Sequence, residues 1–466
     1  MITRFLKIQI LCSFIISSSF VYSVPVNTVA ATINVGATPA GIAITPDGLF
    51  AYVANNNNYG TDDGDSVTVI DLTTNLIEKT IIDDSFNQPY TITINPAGTY
   101  AYVTNSYTTT ITVIKIATNE VSAVIEHFDG PSGMVITSDS STGYVNNYGA
   151  GGTSGTISTV NVVNLSTNLI SDVITVGLAP AGLAITSDDA FVYVINYVDG
   201  DNETGTISVI QTSDKTVEVS AVTGLSGPFA IAITPDDSFA YVTNFGSNNF
   251  TPIGTTVSVV DLTTKAITAT VDLAIQPAGI AITPDGKFAY ATNYNSLYSP
   301  YGAYDGENLV GTVNILVPAQ GTVNVIDIAS NTVVAPTIAV GQSPANVAIS
   351  PSGEFGYVSN FTSNTVNVIA LPTFEIVAQG SQVANQYLTY TQLVNKLTWT
   401  SSGISLPVSY AIYRDAALTD QIGIVLVDEP FVFYDYNRLP NTSYSYYVVG
   451  TNSVGTTSDP VIVTIN

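Results

Sequence analysis

The sequence contains few of the residues on which most catalytic and metal sites depend. Its 466 residues include one cysteine, Cys12, and one histidine, His127. A zinc site needs several imidazole or thiolate ligands, so the composition excludes that class, and it excludes a disulfide framework as well. A serine–histidine–aspartate arrangement needs only one histidine and is not excluded by counting. No GxSxG elbow links a strand to a helix, however, and we expect His127 to be structural.

Positive charge is scarce too. Ten Lys and Arg residues stand against 36 Asp and Glu residues, which gives a net charge of −26. Nucleic acids and anionic lipid surfaces would be repelled, so we expect neither as a partner. A content of 35 Gly, 22 Pro and 27 Tyr residues favours many short strands and turns, and hence an all-β chain.

The only long apolar run lies at the N-terminus, where residues 8–22 follow Arg4 and Lys7. A basic start followed by a short apolar run is typical of a secretory signal peptide, which we assign to residues 1–23. The run is too short and too rich in serine to span a membrane, and we expect no transmembrane span in the rest of the chain. The pattern predicts a secreted or cell-surface protein, with the periplasm as a further location.

One phrase, exemplified by IAITPDGKFAYATN from Ile280, recurs seven times. Its copies begin at prolines 42 to 67 residues apart, namely Pro39, Pro89, Pro131, Pro180, Pro228, Pro277 and Pro344. Each copy predicts a strand, a tight turn at Pro-Asp-Gly, a second strand, a loop and two further strands. Four antiparallel strands repeated in this way predict a seven-bladed β-propeller. Asp285 then occupies a turn, because Ala97 and Ser352 replace it in other copies.

The two ends of the repeat region compete for one place in the last blade. Thr28–Gly36 matches the fourth-strand pattern, and we expect it to pair with the blade built from residues 345–370. Thr373–Gly380 carries a similar pattern and could occupy the same place. The sequence leaves both alternatives open.

The repeated phrase ITPDG…AYVTN, with VSVVDLTT after it, resembles the YVTN-type β-propeller repeats of prokaryotic secreted and surface-layer proteins. This resemblance implies a propeller over residues 24–380 and says little about activity. Residues 381–466 resemble a fibronectin type III domain, a small β-sandwich. That resemblance implies that Trp399 is a core residue of the second strand and that the hydroxyl of Tyr444 bonds to the backbone near Leu439.

Three loops that follow second strands of the repeat carry acidic residues, and the longest also carries tyrosines. The candidate binding residues are Asp62, Asp63, Asp65, Asp199, Asp201, Glu203, Tyr294, Tyr298, Tyr301, Tyr304, Asp305 and Glu307. Asp199, Asp201 and Glu203 begin like a calcium loop, although Thr204 stands where that loop needs its glycine. Ca²⁺ is therefore a candidate ligand and no other cofactor is expected; the alternative is that these are solvated loops.

Because neighbouring strands alternate in direction, these loops share one face of the propeller, opposite the Pro-Asp-Gly turns. Exposed tyrosines beside carboxylates suit contacts with proteins or glycans. We therefore expect a non-enzymatic binding or scaffold protein, with Ca²⁺ as an optional aid. One alternative is a propeller hydrolase or lactonase, against which stand the small apolar residues of the inner strands, such as AGIAI. The other is a structural component of a surface layer.

Overall fold

A computed structural model describes residues 27–57, 64–149, 158–197, 204–246, 253–305, 308–372, 375–386, 391–402, 409–426, 431–436, 439, 442–451 and 460–465. These residues form strands and turns and no α-helix. None of them belongs to a helix long and apolar enough to cross a membrane. The predicted signal peptide, residues 1–23, lies outside them.

Seven four-stranded antiparallel sheets form the first part of the structure. Six of them follow one another in the chain, and in each the strands are given from the first strand of the repeat outwards. The first sheet contains β2 (Pro39–Ile44), β3 (Phe50–Asn55), β4 (Ser66–Asp71) and β5 (Leu76–Ile81), and the second contains β6 (Pro89–Ile94), β7 (Tyr100–Asn105), β8 (Thr110–Lys115) and β9 (Glu120–Ile125). The third contains β10 (Pro131–Ile136), β11 (Thr142–Asn147), β12 (Thr159–Asn164) and β13 (Leu169–Thr175), and the fourth contains β14 (Pro180–Ile185), β15 (Phe191–Asn196), β16 (Gly205–Gln211) and β17 (Val217–Leu225). The fifth contains β18 (Pro228–Ile233), β19 (Phe239–Gly246), β20 (Ile253–Asp261) and β21 (Ala266–Asp272), and the sixth contains β22 (Pro277–Ile282), β23 (Phe288–Asn293), β26 (Gln320–Asp327) and β27 (Thr332–Gln342). The seventh is β28 (Pro344–Ile349), β29 (Phe355–Asn360), β30 (Thr365–Ala370) and β1 (Thr28–Asn34). A separate hairpin, β24 (Ser296–Asp305) and β25 (Asn308–Pro318), is inserted in the sixth sheet.

The first strands of the seven sheets contact one another in a closed ring. Each touches the next in chain order, and β28 of the last sheet touches β2 of the first. Seven sheets arranged around one axis are a seven-bladed β-propeller, as the repeat predicted. The first strand of each blade is the one nearest the axis.

The apolar cores lie between neighbouring blades. One of them joins Tyr52 and Val67 of the first blade to Ile92 and Ala101 of the second. Tyr52, Val67 and Ala101 are fully buried, since side chains alternate between the two faces of a sheet and each face meets a neighbouring blade. The repeat period is therefore the spacing at which such cores recur.

The N-terminal strand closes the ring. Thr28–Asn34 pairs antiparallel with β30, as Thr32 opposite Asn367 illustrates. The side-chain amide of Asn367 also donates to Thr32 Oγ1 at 2.8 Å. The expected pairing of Thr28–Gly36 with the last blade is thereby confirmed.

The competing segment belongs to the C-terminal part of the chain. β31 (Glu375–Gln386) pairs along its whole length with β32 (Thr391–Ser402). Residue 380, after which the sequence placed the domain boundary, lies inside β31. β31 is not part of the last blade, because β1 already occupies the outer place there.

Two sheets enclose the C-terminal core. They contain the strands β31, β32 and β35 (Val432–Tyr436), and β34 (Gln421–Leu426), β33 (Ser409–Tyr413), β36 (Tyr444–Thr451) and β37 (Val461–Ile465). Trp399, Tyr410 and Tyr446 pack together between them, so this part is a small β-sandwich. The hydroxyl of Tyr444 accepts the backbone N–H of Leu439 at 3.1 Å.

Tight turns between first and second strands occupy one face of the propeller, called here the turn face. In the sixth blade, Asp285 accepts from the Thr283 hydroxyl at 2.6 Å and from the Lys287 N–H at 3.1 Å. Gly286 supplies the positive φ of 69° that this turn requires. Asp285 is therefore a turn residue, as its replacement in other copies indicated.

Adjacent blades are also tied together at the turn face. The tyrosine of each repeat reaches the next blade, where Tyr241 donates to Asn331 Oδ1 at 2.6 Å and Tyr290 donates to Asn27 Oδ1 at 2.8 Å. Tyr52 makes the same contact with Asn119. Because Asn27 directly precedes β1, the Tyr290 bond fastens the closing strand to the sixth blade.

The bond between Tyr290 and Asn27 can be measured by a double-mutant cycle. Tyr290→Phe removes the hydroxyl, and Asn27→Gly removes the amide while tolerating the φ of 54° at that position. We expect each change to lower the free energy of unfolding by about 1 kcal/mol. The double variant should lose little more than either single variant, as measured by urea denaturation. Additive losses would contradict the contact.

The stability of the turns should depend on acid pH. Asp71 accepts hydrogen bonds from the N–H and the hydroxyl of Thr73, and these bonds lower the pKa of Asp71. Hydrogen bonds from Thr264 lower the pKa of Asp261 in the same way. A carboxylate with a lowered pKa stabilises the fold above its unfolded pKa of 3.8, and that stabilisation is lost as pH falls through the lower, folded value.

Asn164 fills the same turn in the third blade and accepts from the N–H and hydroxyl of Ser166. An Asp71→Asn/Asp261→Asn variant should therefore fold normally at neutral pH and lose less stability than the parent at a pH below 3.8. Urea midpoints at the two pH values measure the difference. An acid loss equal to that of the parent would show that these two carboxylates do not contribute.

Candidate functional site

The opposite face, called here the loop face, carries the starts of the first strands and the ends of the second strands. The residue before each strand-opening proline has a positive φ, between 46° at Thr38 and 62° at Gly130. Its carbonyl accepts the N–H of the residue that follows the final asparagine of the second strand. The pairs are Asn56–Thr38, Ser106–Gln88, Tyr148–Gly130, Tyr197–Ala179, Phe245–Gly227, Tyr294–Gln276 and Phe361–Ser343, at 2.9 to 3.3 Å.

This bond holds an aromatic residue at the loop-face end of most blades, because the residue after the asparagine is aromatic in all copies but the first two. Tyr90 and Phe229, each directly after a strand-opening proline, add two further rings. Tyr197 is set apart because its hydroxyl donates to the carbonyl of Gly246 at 2.9 Å. The other rings form what we call the axial aromatic cluster: Tyr90, Tyr148, Phe229, Phe245, Tyr294 and Phe361.

Four rings of this cluster, Phe229, Phe245, Tyr294 and Phe361, are in sequential contact. The centroids of Phe229 and Phe245 lie 5.3 Å apart, those of Phe245 and Tyr294 6.2 Å, and those of Tyr294 and Phe361 6.4 Å. These separations suit offset or edge-to-face packing of aromatic rings. The contacts link the fifth, sixth and seventh blades.

The cluster also crosses the axis. Burial raises the pKa of the Tyr90 phenol, and the phenols of Tyr148 and Tyr294 raise it further. Tyr90 belongs to the second blade and Tyr294 to the sixth, which are not neighbours in the ring. The phenols of Tyr90 and Tyr294 therefore lie within electrostatic reach of each other across the axis, and Tyr90, like any tyrosine with an unlowered pKa, is protonated and able to donate a hydrogen bond at neutral pH.

Asp65 is a partly buried carboxylate on the same face. Its Oδ2 accepts the N–H of Gln88 at 3.0 Å, two residues before Tyr90. Its Oδ1 is buried and has no hydrogen-bond partner among the described residues. Burial raises the pKa of Asp65, and the bond from Gln88 opposes that rise only in part. Asp65 is thus a carboxylate whose burial is only partly compensated by hydrogen bonds from the described residues.

The other predicted site residues are not brought together by the described part of the chain. Tyr294 belongs to the axial aromatic cluster, and Asp65 lies on the same face, where it accepts the N–H of Gln88, two residues before Tyr90. The backbones of Tyr298, Tyr301, Tyr304 and Asp305 lie in β24. The remaining candidates, including the calcium candidates, fall outside the described residues: Asp62, Asp63, Asp199, Asp201, Glu203 and Glu307.

Neither a metal site nor a histidine site emerges from the described segments. No three His, Asp or Glu side chains within them are close enough to hold a metal ion. His127 is exposed on the loop face, with a φ of 76°.

Sequence reasoning missed most of the axial aromatic cluster. It assigned the channel to the small residues of the inner strands, whereas the rings come from the position after each asparagine and from Tyr90 and Phe229. The available signal was the recurrence of Tyr or Phe after that asparagine.

Comparisons with known proteins identify the propeller region. The family described as "Lactonase, 7-bladed beta-propeller" matches residues 17–138 and 217–373, more than half of the chain. No curated protein matches the sequence. Among solved structures, a chain of the Kuenenia stuttgartiensis hydrazine synthase is similar, with 20% identity, a TM-score of 0.57, and coverage of 72% of this chain and 97% of that one. At that identity the similarity concerns the fold alone.

The family match corrects the expectation of a non-enzymatic binding or scaffold protein. A lactonase family indicates a hydrolytic enzyme, which the sequence analysis had kept as an alternative. The error came from the scarcity of catalytic residue types in the sequence and from taking the small inner-strand residues as evidence against a hydrolase.

The partial burial of Asp65 leads to a stability prediction. Asn364 occupies the equivalent place in the last blade, where its Oδ1 accepts the N–H of Thr38 at 2.8 Å. An asparagine can therefore make this contact. The pKa of Asp65 is higher in the folded protein than the value of 3.8 in the unfolded chain, so ionisation of this carboxyl group at any pH above 3.8 destabilises the fold. Asp65→Asn removes the charge and should therefore raise the urea midpoint at neutral pH.

The reciprocal change, Asn364→Asp, is the matched control and should lower the midpoint. A loss of stability in Asp65→Asn would mean that the carboxylate has a favourable charged partner that the geometry does not reveal.

Proposed function

Because the chain belongs to the lactonase family of seven-bladed β-propellers, we propose that it hydrolyses a lactone or related ester at the loop-face end of the central channel. The observation that carries this location is the axial aromatic cluster, which gathers rings from five blades across the axis. Sites of this kind are concave and mostly apolar, with a few polar groups that fix orientation.

Binding falls to the aromatic rings. Tyr and Phe side chains offer large apolar faces against which a lactone ring packs, at a small loss of conformational entropy. Tyr90 contributes a phenol that remains protonated, so it can donate to the carbonyl oxygen of the ester. Donation of this kind stabilises the negative charge that develops on that oxygen in the transition state.

Asp65 is the described carboxylate that best suits the role of general base. Its carboxylate would take a proton from a water molecule admitted with the substrate as the water oxygen attacks the ester carbonyl carbon. The bond between the carbonyl carbon and the ring oxygen then breaks. The proton passes to the departing alkoxide, and the product is a hydroxy acid. A raised pKa makes the Asp65 carboxylate a stronger base than an ordinary aspartate.

Activity measurements on purified protein with a panel of neutral lactones and esters test this assignment. Asp65→Asn should reduce kcat by about 10²- to 10⁴-fold, because an amide cannot accept the proton. The rate of the parent should rise with pH through the raised pKa of Asp65. Asp47→Asn, a change in a turn on the opposite face, is the matched control and should leave the rate unchanged.

The variant Tyr90→Phe removes the hydroxyl and keeps the ring, so it distinguishes the contribution of the phenol from that of the aromatic face. We expect it to lower kcat with little change in KM, because the phenol acts on the transition state while the ring binds the substrate. Full activity in Asp65→Asn, or hydrolysis of no lactone or ester by the parent, would refute the proposed function.

The finer family and location assignments are also proposals. We propose that the blades are of the YVTN type and that the C-terminal sandwich is a fibronectin type III module. The Tyr444–Leu439 bond and the packing of Trp399 against Tyr410 and Phe431 support the second assignment. We also propose that the protein is secreted or held at the cell surface, on the strength of its N-terminal sequence.

A further inference from the structure

Two neighbouring tyrosines are exposed on the outer face of the C-terminal sandwich. Tyr434 is 41% and Tyr436 48% exposed. The residues that alternate with them in β35 face inwards, since Phe433 packs on the core and Asp435 is buried. Among the tyrosines whose side chains the structure describes, only Tyr107 is exposed as well. Single exposed apolar residues are ordinary, whereas adjacent ones on one face point to a binding surface.

The two rings form what we call the tyrosine platform, Tyr434 and Tyr436. Their centroids lie 6.4 Å apart, and their planes are inclined by 35°. Because the two residues are two positions apart in one strand, both rings stand on the same face of the sheet. In the described structure β35 is an edge strand, so the platform borders the sheet.

Uncharged and positively charged side chains lie next to the tyrosine platform. Lys396 on β32 lies opposite Tyr434, and its Nζ is 6.0 Å from the centroid of the Tyr434 ring. Ser381 on β31 lies opposite Lys396 and is exposed, and so is Thr398. These three side chains supply one ammonium and two hydroxyl groups to the face.

Lys396 differs from the lysines that link neighbouring blades at the turn face. Lys215 is paired there with Asp172, and Lys265 with Glu218. The described residues provide no carboxylate partner for Lys396. Its N–H groups can therefore donate to a ligand that lies on the platform.

We infer that the tyrosine platform binds an uncharged polysaccharide. The face of an aromatic ring carries partial negative charge, which attracts the C–H groups on the flat side of a sugar ring. Lys396, Ser381 and Thr398 then form hydrogen bonds with sugar hydroxyl groups beside the rings. This surface is separate from the loop face, and binding there accompanies hydrolysis by the propeller.

The charges favour an uncharged ligand over a charged one. The net charge of −26 repels a polyanion from the chain as a whole. A polycation meets the ammonium of Lys396 and no carboxylate from Ser381 or Thr398. A polymer of uncharged, hydroxylated sugars meets neither penalty.

The surface also suits a glycan better than a protein. A stable protein interface buries about 800 Å² on each partner and has an apolar centre. Two rings bordered by an ammonium and two hydroxyl groups do not form such a centre. A sugar chain needs only ring faces with hydrogen-bonding groups beside them.

Binding of the full chain to soluble polysaccharides tests the inference. The probes are a β-glucan, a mannan and a dextran, each cast into a native gel, with polygalacturonate as the anionic comparison. We expect at least one neutral polymer to retard the protein, and polygalacturonate to retard it less. Failure of all three neutral polymers to retard it would overturn the inference.

Variants locate the binding surface. Tyr434→Ala/Tyr436→Ala removes both rings and should weaken binding of the retarding polymer about tenfold or more. Tyr434→Phe/Tyr436→Phe keeps the ring faces and should bind nearly as the parent does. The matched control, Ile424→Ala/Leu426→Ala, truncates two exposed apolar side chains, also two positions apart, on β34 of the other sheet. It should bind as the parent does.

A further variant leaves both rings in place. Lys396→Met keeps the alkyl stem, removes the donors and should weaken binding several-fold. Unchanged binding in Tyr434→Ala/Tyr436→Ala, or an equal loss in the control, would overturn the inference. So would sedimentation of the parent as a dimer and of the Tyr434→Ala/Tyr436→Ala variant as a monomer, because the platform would then join two copies of the chain.

The inference does not depend on the proposed function. Because the platform lies outside the propeller, Tyr434→Ala/Tyr436→Ala should hydrolyse lactones at the rate of the parent. Absence of lactone hydrolysis would refute the proposed function alone, and the gels would still decide whether the platform binds a polysaccharide.

Discussion

A single backbone contact sets the geometry of the loop face. In each blade a residue with positive φ precedes the proline of the first strand, and its carbonyl accepts the N–H of the residue after the final asparagine. Non-glycine residues adopt this conformation at a cost, so the surrounding fold must hold them there. The same contact fixes the direction of the following side chain. Because the contact recurs in every blade, it places one residue per blade around the axis of the propeller.

The two faces differ in how their charged side chains are held. On the turn face, tyrosine hydroxyls and lysine pairs join neighbouring blades, and aspartates such as Asp285 hold the turns within a blade. On the loop face, Asp65 keeps a buried oxygen without a partner in the described structure, at a position where Asn364 shows that an amide would serve. A carboxylate that disfavours folding at such a position is the kind of compromise found at functional sites.

The repeat predicted most of the fold because its signals are local and occur seven times. Turn residues such as Asp285 and strand patterns such as FAYATN specify blade number and strand order, and Thr28–Gly36 matched the missing strand. The site was predicted only in part. Tyr294 and Asp65 were chosen for their loops, yet the partnership of Tyr90 with Tyr294 depends on closing a ring between blades that are far apart in sequence. A sequence pattern that describes one blade does not indicate which side chains of different blades approach one another across the axis.

Closure by β1 has a consequence for how the chain folds. Thr32 and Asn367, which face each other in the last blade, lie 335 residues apart in the chain. Among the propeller strands, β1 is synthesised first and its partner β30 last, so the ring cannot close until nearly all of the propeller has left the ribosome. Until then β1 and the last blade each present an unpaired strand edge, which is prone to pairing with other chains. Closure of the ring by β1 is therefore a late and slow step that follows formation of the blades. While the strand edges are exposed, aggregation competes with folding.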